Sequence, residues 1–332
     1  MFYFCSRTTA LIRYAILENM KLFIQIPCLN EAETLPLVLK DIPKRIPGIS
    51  SIEVLVINDG STDDTVKVAK ALGVGHFVQH TGRRGLAQAF RDGVQYALEQ
   101  GADIIVNTDG DNQYPSASIT ELVRPIVDGT ADIVIADRQV QTIAHFSPAK
   151  KLLQRLGTRV LNLAAGTNVA DAPSGFRAYS REAAIKINVV TQFSYTMETI
   201  IQAGNKRMAI TSVPITVNPK TRESRLFNSS AEHVMKSGMA ITRAFIMYRP
   251  LTLFATLGWF TLLTGLIPFV RFLYFVNHQN GTHHLQSLIF GTVLLTASFI
   301  SFTLGVIADL IRINRTLIEE NLEITKRQLL KK

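Results

Sequence analysis

Between Lys21 and Pro219 the chain alternates between two kinds of hydrophobic pattern. Short, nearly continuous apolar runs such as "LFIQIP", "IEVLVIND", "GHFVQH", "DIIVNTD" and "DIVIADR" predict buried strands. Between them lie longer segments with mixed apolar and polar positions: "EAETLPLVLKDIPKRI", "TDDTVKVAKAL", "LAQAFRDGVQYALEQ" and "SASITELVRPIVDG". These predict helices. Strands apolar on both faces, each followed by a helix, predict an α/β fold with a mostly parallel sheet covered by helices. In such sheets ligands bind beyond the carboxyl ends of the strands.

The pattern then changes. Pro250 to Val270 carries no charged residue, and neither does Leu285 to Ala308. Each run is long enough to cross a bilayer, which takes about 20 residues. Arg249 and Arg271 bracket the first run, and Asp309 and Arg312 close the second. The connecting loop "NHQNGTHH" has no Lys or Arg, so its histidines, among them His278, His283 and His284, read as a polar loop between spans. From Ile311 to Lys332 six basic residues face three Glu, a net +3. That asymmetry predicts a multi-pass protein of the cell membrane with the N-terminal domain and both termini cytoplasmic. The segment "AEHVMKSGMAITRAFIMYR", 231 to 249, mixes apolar positions with Lys236, Arg243 and Arg249 and predicts an interfacial helix. The expected organisation is an N-terminal extension (1–20), a catalytic domain (21–228), an interfacial region (229–249), two transmembrane helices (250–310) and a basic tail (311–332). Apolar spacing in "LIEENLEITKRQLL" is compatible with helix pairing and thus with a homo-oligomer.

Composition agrees with this division. A net charge of +9 accompanies 47% hydrophobic residues and a mean hydropathy of +0.19, a combination that suits a membrane enzyme facing anionic lipid. No basic patch interleaved with aromatics appears, which argues against nucleic acid as a partner. Cys5 and Cys28 cannot make a disulfide framework and fit a reducing compartment. Arg7 and Arg13 interrupt any signal-peptide core in the first 20 residues, and Met20 stands immediately before the first strand.

Polar clusters recur at the predicted strand ends: Asn30 and Glu31, Asp59, Asp109 and Asp111, Asp137 and Arg138. Together they outline an active-site rim. "NTDGDNQYP" suits either a polar turn built on Gly110 and Pro115 or a set of oxygen ligands for Mg²⁺ or Mn²⁺. In "NDGSTDDT", Ser61 or Thr62 is expected to cap the next helix, leaving Asp59 to face the cleft. Neither G-x-G-x-x-G after the first strand nor G-x-x-x-x-G-K-[ST] occurs, so dinucleotide Rossmann and P-loop sites are not indicated.

The ordered set "PCLNE", "VINDGSTDDT", "NTDGDNQYP", "DAPSGFRAYS" and "RESR" resembles family 2 glycosyltransferases of the GT-A fold, over about residues 21 to 228. Within that family it is most similar to the polyprenyl-phosphate glycosyltransferases, the dolichol-phosphate mannose synthase-like and bacterial glucosyl branch, of which one subgroup also has two C-terminal spans. The resemblance implies that Asp59 contacts the nucleotide base, with Pro27, Asn30 and Glu31 lining the nucleoside pocket. It implies that Asp109, Asp111 and Gln113 hold a divalent ion against the donor diphosphate. Asp171, Ser174 and Gly175 would shape the sugar pocket, and Arg138, Lys150 and Lys151 would meet the acceptor phosphate. Arg222, Ser224 and Arg225 in "KTRESR" match a loop that closes on the diphosphate. One departure is "TGRRGLAQA", where the family often has Asn at the head of the loop; Arg83 and Arg84 could serve the diphosphate instead.

The implied chemistry is inverting transfer from a nucleotide sugar, UDP-glucose before GDP-mannose, to polyprenyl phosphate at the cytoplasmic face. A phosphate nucleophile is already ionised near neutral pH and needs no general base, and the rim motifs contain no histidine. Two rivals stand beside it. A processive polysaccharide synthase would carry Gln-x-x-Arg-Trp, but the lone tryptophan, Trp259, lies in the first span. An inactive membrane scaffold would be favoured by loss of a metal-binding carboxylate, and both Asp109 and Asp111 are present.

Overall fold

The computed structural model describes residues 20–141, 148–190, 195–219, 239, 246–278 and 285–331. They divide into two compact units, Met1–Ile241 with Glu323–Lys332, and Thr242–Leu322.

The first unit is built on a seven-stranded sheet of β1 (Met20–Cys28), β2 (Ile49–Asn58), β3 (His76–Gln79), β4 (Ile104–Asn107), β5 (Ile133–Asp137), β6 (Arg177–Ser180) and β7 (Ile210–Pro214). Its order is β3-β2-β1-β4-β6-β5-β7. Leu22, Ile24, Val56, Ile104, Val106 and Val134 are buried, as strands covered on both faces require. Every neighbouring pair is parallel except those of β6, which runs antiparallel to β4 and β5. That reversal matters. It brings the start of β6, and the "DAPSGF" segment before it, to the edge where the other strands end. The register runs Gln25 to Asn107 to Arg177 to Ile135 across four strands.

The helices are α1 (Leu35–Lys40), α2 (Thr65–Ala71), α3 (Leu86–Glu99), α4 (Ile119–Val127), α5 (Pro148–Ala165), α6 (Arg181–Lys186) and α7 (Tyr195–Asn205). The expected helix over "EAETLPLVLKDIPKRI" forms only its central six residues, because Pro43 follows closely and forbids a continuing turn. Residues 323–331 belong to this unit. Lys326 Nζ donates to Ile187 O (3.2 Å) and Asn188 Oδ1 (2.5 Å), and Arg327 pairs with Glu182 at 2.6 Å. The basic tail is therefore not a separate segment after residue 310. Helix α9 (Leu285–Leu329) runs without a break, since no Gly or Pro follows Gly305 before its end.

The second unit contains α8 (Pro250–His278) and most of α9, both long and apolar enough to cross a membrane. Only 11% and 17% of their most apolar stretches are buried, so these are not core helices of a soluble domain. Small residues let the two approach: Ser298 Oγ donates to Gly258 O (2.8 Å) and Ser301 Oγ to Phe254 O (3.0 Å). Trp259, Phe260, Leu263, Phe290 and Phe299 point outward. Both are therefore candidate membrane spans by length and composition.

Candidate active site

The carboxyl ends of β1 and β2 are stitched together by short polar side chains. Asn30, in the left-handed region at φ 57°, accepts from Thr62 N (2.8 Å), while its own N–H donates to Ser61 Oγ (3.0 Å). Glu31 N donates to Thr65 Oγ1 (2.9 Å) and Ala32 N to Asp63 Oδ2 (3.1 Å). Ser61 and Thr62 thus do not cap α2, contrary to expectation. Their groups cross-link two strand ends, and the carboxylate of Asp63 accepts Thr65 N (3.0 Å) in their place. Pro27 lies at the end of β1 in register with Ile57.

Asp59 is 5% exposed, and its oxygens hold the next loop. Oδ1 accepts from Arg84 N (2.8 Å) and from His80 Nδ1 (2.8 Å); Oδ2 accepts from Gly85 N (2.9 Å). A carboxylate has about four acceptor directions, so little of Asp59 remains for a nucleotide base. Here the motif-based expectation needs correction: Asp59 does not stand open to the cleft. Gly60 (φ 79°) is required, because a Cβ there would lie 2.8 Å from Arg83 N. His80, absent from every motif, sits at this rim with Nε2 3.0 Å from Asp92 Oδ2. The side chains of Arg83 and Arg84 are exposed.

Across the rim, Asp109, Asp111 and Gln113 occupy a turn made possible by Asn112 at φ 56°. Gln113 N donates to Asp111 Oδ1 (3.1 Å), and Gln113 O accepts from Asn218 N (3.0 Å). Asn218 also donates to Asn112 O (3.0 Å), so the chain after β7 runs directly over this turn. Sequence reasoning missed Asn218, an isolated polar residue with no motif around it. Gly175 lies against Asp109: a Cβ would sit 3.5 Å from Asp109 Oδ2 and 3.0 Å from the Tyr195 hydroxyl.

The loop carrying Asp171, Ser174 and Gly175 is held from beneath by Arg177. This arginine is fully buried and donates to Ser174 O, Ala172 O and Thr199 Oγ1 (each 2.7 Å) and to Thr196 O (2.8 Å). Gly175 N donates to Tyr114 Oη (3.1 Å), and Asn107 Nδ2 bonds both Gly175 O (3.0 Å) and Tyr195 Oη (2.8 Å). Burial, with Asp109 adding to it, pushes the Tyr195 phenol well above its usual pKa and keeps it a neutral donor. Arg177 directly follows "SGF", so a charged residue opening an apolar strand was the available signal. Among the described residues, Ser174 Oγ and Thr108 Oγ1 are buried with no hydrogen-bond partner.

Arg138 follows β5 into the same edge but does not stand free. Nε donates to Asp171 Oδ2 (2.6 Å) and Nη2 to Asp171 Oδ1 (2.9 Å), with side-chain exposures of 12% and 2%. The planar fork expected to grip an acceptor phosphate is taken by Asp171. Burial opposes the charge on Arg138, but Tyr114, Asp171 and Asp109 outweigh it and raise its pKa. Lys151 Nζ donates to Gln141 O (2.8 Å). The Lys150 side chain, Arg222, Ser224, Arg225 and nearly all of the 229–249 interfacial segment lie outside the described residues.

The described amphipathic surface is instead on α5. Leu152, Leu153, Leu156, Val160 and Leu163 are exposed and fall within an arc of about 100° of the helix. Lys151, Arg155 and Arg159 flank that arc, while Leu161, Ala164 and Ala165 face the interior.

Among the described residues no group of three His, Cys, Asp or Glu forms a self-sufficient metal site. Two carboxylates and an amide oxygen in one turn fit a hard ion that completes its shell with phosphate and water.

Comparison with known proteins agrees with this geometry. The glycosyl transferase family 2 model matches residues 23–187. The chain is 28% identical to an undecaprenyl-phosphate mannosyltransferase of Micrococcus luteus over 62% of this chain and 88% of that protein. It is 30% identical to an uncharacterized glycosyltransferase of Mycobacterium bovis, over 60% of this chain and 85% of that one. In fold it is similar to glucosyl-3-phosphoglycerate synthase from Mycobacterium tuberculosis, solved with Mn²⁺, UDP-glucose and phosphoglyceric acid: TM-score 0.53, 20% identity, 68% of this chain and 79% of that one. With the reversed β6, the rim carboxylates and these matches in place, the chain belongs to glycosyl transferase family 2 and is a glycosyltransferase with a GT-A-like catalytic domain.

Proposed function

We propose that this enzyme transfers a hexose from a nucleotide sugar to a polyprenyl phosphate at the cytoplasmic face of the membrane, with inversion at the anomeric carbon. A phosphate oxygen of the acceptor forms the new bond to that carbon, and the bond to the nucleotide diphosphate breaks. The observation that carries the reading is a single sheet edge holding both the Asp109–Asp111 turn and the Asp171–Gly175 loop, in a chain with two outward-facing apolar helices. The named acceptor of the Micrococcus luteus relative supports it. So does α5, whose exposed leucines beside Lys151, Arg155 and Arg159 suit an anionic lipid surface.

In this reading Asp109, Asp111 and Gln113 hold Mg²⁺ or Mn²⁺, which would offset charge on the departing diphosphate. Arg83 and Arg84 extend toward the same phosphates. Ser174 and Gly175 shape the sugar pocket. Arg138 orders Asp171 rather than gripping the acceptor with its fork. No general base is needed, because the attacking phosphate is ionised.

The test is a donor screen. Membranes containing the protein are given polyprenyl phosphate and radiolabelled UDP-glucose, GDP-mannose and other nucleotide sugars in turn. Label should enter the lipid from one donor, UDP-glucose first and GDP-mannose next. Label that enters only a polymer or a different lipid overturns the acceptor assignment.

A further inference from the structure

The segment from His80 to Gly85 is fastened to the end of β2 at several points. His80 N donates to Asn58 O (3.0 Å), and Arg84 N and Gly85 N donate to Asp59 (2.8 and 2.9 Å). Gly82 and Arg83 lie so close over Gly60 that a methyl group there would not fit. Gly85 also leads into α3, its O accepting from Ala89 N (3.0 Å). Among the described residues of the segment, the side chain that ties the strand end to the body of α3 is His80, whose ring is 3% exposed and lies between Asp59 Oδ1 (2.8 Å) and Asp92 Oδ2 (3.0 Å). Asp92 is in turn braced within α3, its Oδ1 accepting from Gln88 Nε2 (2.7 Å).

Each ring nitrogen lies within hydrogen-bond distance of a different carboxylate, so one side chain engages two elements at once. The imidazole therefore links the end of β2, the second turn of α3 and the loop bearing Arg83 and Arg84 into one unit.

We infer that His80 is a positioning residue for the donor: it sets where the loop bearing Arg83 and Arg84 meets the nucleotide diphosphate. It touches no reacting atom. The inference rests on the donor reading of this rim, but not on which sugar or lipid is used.

Full-length protein in membranes or detergent tests it, with His80→Ala and His80→Gln. Nucleotide binding is measured by calorimetry with UDP and GDP, and donor KM and kcat are measured separately. In His80→Ala, donor KM and nucleotide Kd should rise about ten- to a hundredfold while kcat at saturating donor falls much less. His80→Gln, which restores at most one of the two bonds, should recover part of the affinity. Circular dichroism and melting guard against simple misfolding, and Asp92→Asn should reproduce the affinity loss in a folded protein. Unchanged donor KM and nucleotide Kd in folded His80→Ala and Asp92→Asn proteins would refute the inference while the transfer reaction stands. If the unmodified protein binds no nucleotide, the functional reading itself fails.

Discussion

Arg138 and Asp171 face each other through two parallel bonds, Nε to Oδ2 at 2.6 Å and Nη2 to Oδ1 at 2.9 Å, with both side chains withdrawn from water. A buried pair of this geometry responds asymmetrically to substitution, because removing one partner strands the other charge. Arg138→Ala should therefore lower stability by about 3–5 kcal/mol as well as reduce transfer. The Arg138→Ala/Asp171→Asn double variant should recover part of the melting temperature but not the activity. Lysine at 138 should restore little, since it offers no planar fork. Thermal melts alongside acceptor KM separate the two effects.

Arg177 should be equally intolerant. Its guanidinium fills four acceptors under the Ala172–Ser174 loop, and a lysine can reach at most three of them from a single nitrogen. Arg177→Lys should cost roughly 3 kcal/mol or more in stability and raise donor KM, through carbonyls left buried and unpaired. Chemical denaturation and steady-state kinetics measure the two consequences.

Activity should require a divalent ion. Asp111→Ala should abolish transfer with little change in melting temperature, because Asp111 lies in a partly exposed turn at the rim. EDTA should silence the unmodified enzyme, and Mg²⁺ or Mn²⁺ should restore it. Persistent activity of either preparation would exclude the metal assignment.

The proposed topology has one outer loop. A cysteine introduced at Asn280 in a chain lacking Cys5 and Cys28 should react with an impermeant reagent only from the non-cytoplasmic side. One placed beyond Leu330 should react only from the cytoplasm. Labelling with the opposite sidedness would invert the orientation.

Lys326 lies well past Ala308, where the uncharged stretch of α9 ends, and is docked on the ends of α6 and the segment after it. Burial, reinforced by Lys206 and Arg91 and opposed by Glu323, lowers its pKa from 10.5 to about 8. A group whose pKa falls on docking releases its proton between the two values. Docking should therefore tighten as pH rises from about 8 toward 10.5 and be flat below that window. Hydrogen-exchange protection of residues 323–331, corrected for intrinsic rates, should follow that curve, and Lys326→Met should abolish the slope.

Much of the catalytic domain follows from sequence alone. The apolar runs in "LFIQIP", "IEVLVIND" and "DIIVNTD" can be buried on both faces only in a covered parallel sheet, so strands and their active edge were legible from pattern. The two uncharged runs likewise predict long apolar helices, and the structure forms them. What pattern cannot reveal is how a side chain divides its bonds among distant neighbours. Asp59 and Arg138 have the chemistry expected of ligand-binding groups, yet the fold places Arg84, Gly85 and His80 on the one and Asp171 on the other. These partners lie 21 to 33 positions away in the chain. Periodicity records only which face a residue occupies; a hydrogen bond needs atoms within about 3 Å. Residues such as Arg177 and Asn218 acquire their importance only when the reversed β6 and the chain after β7 converge on one edge, as His80 does only when α3 packs beside the end of β2.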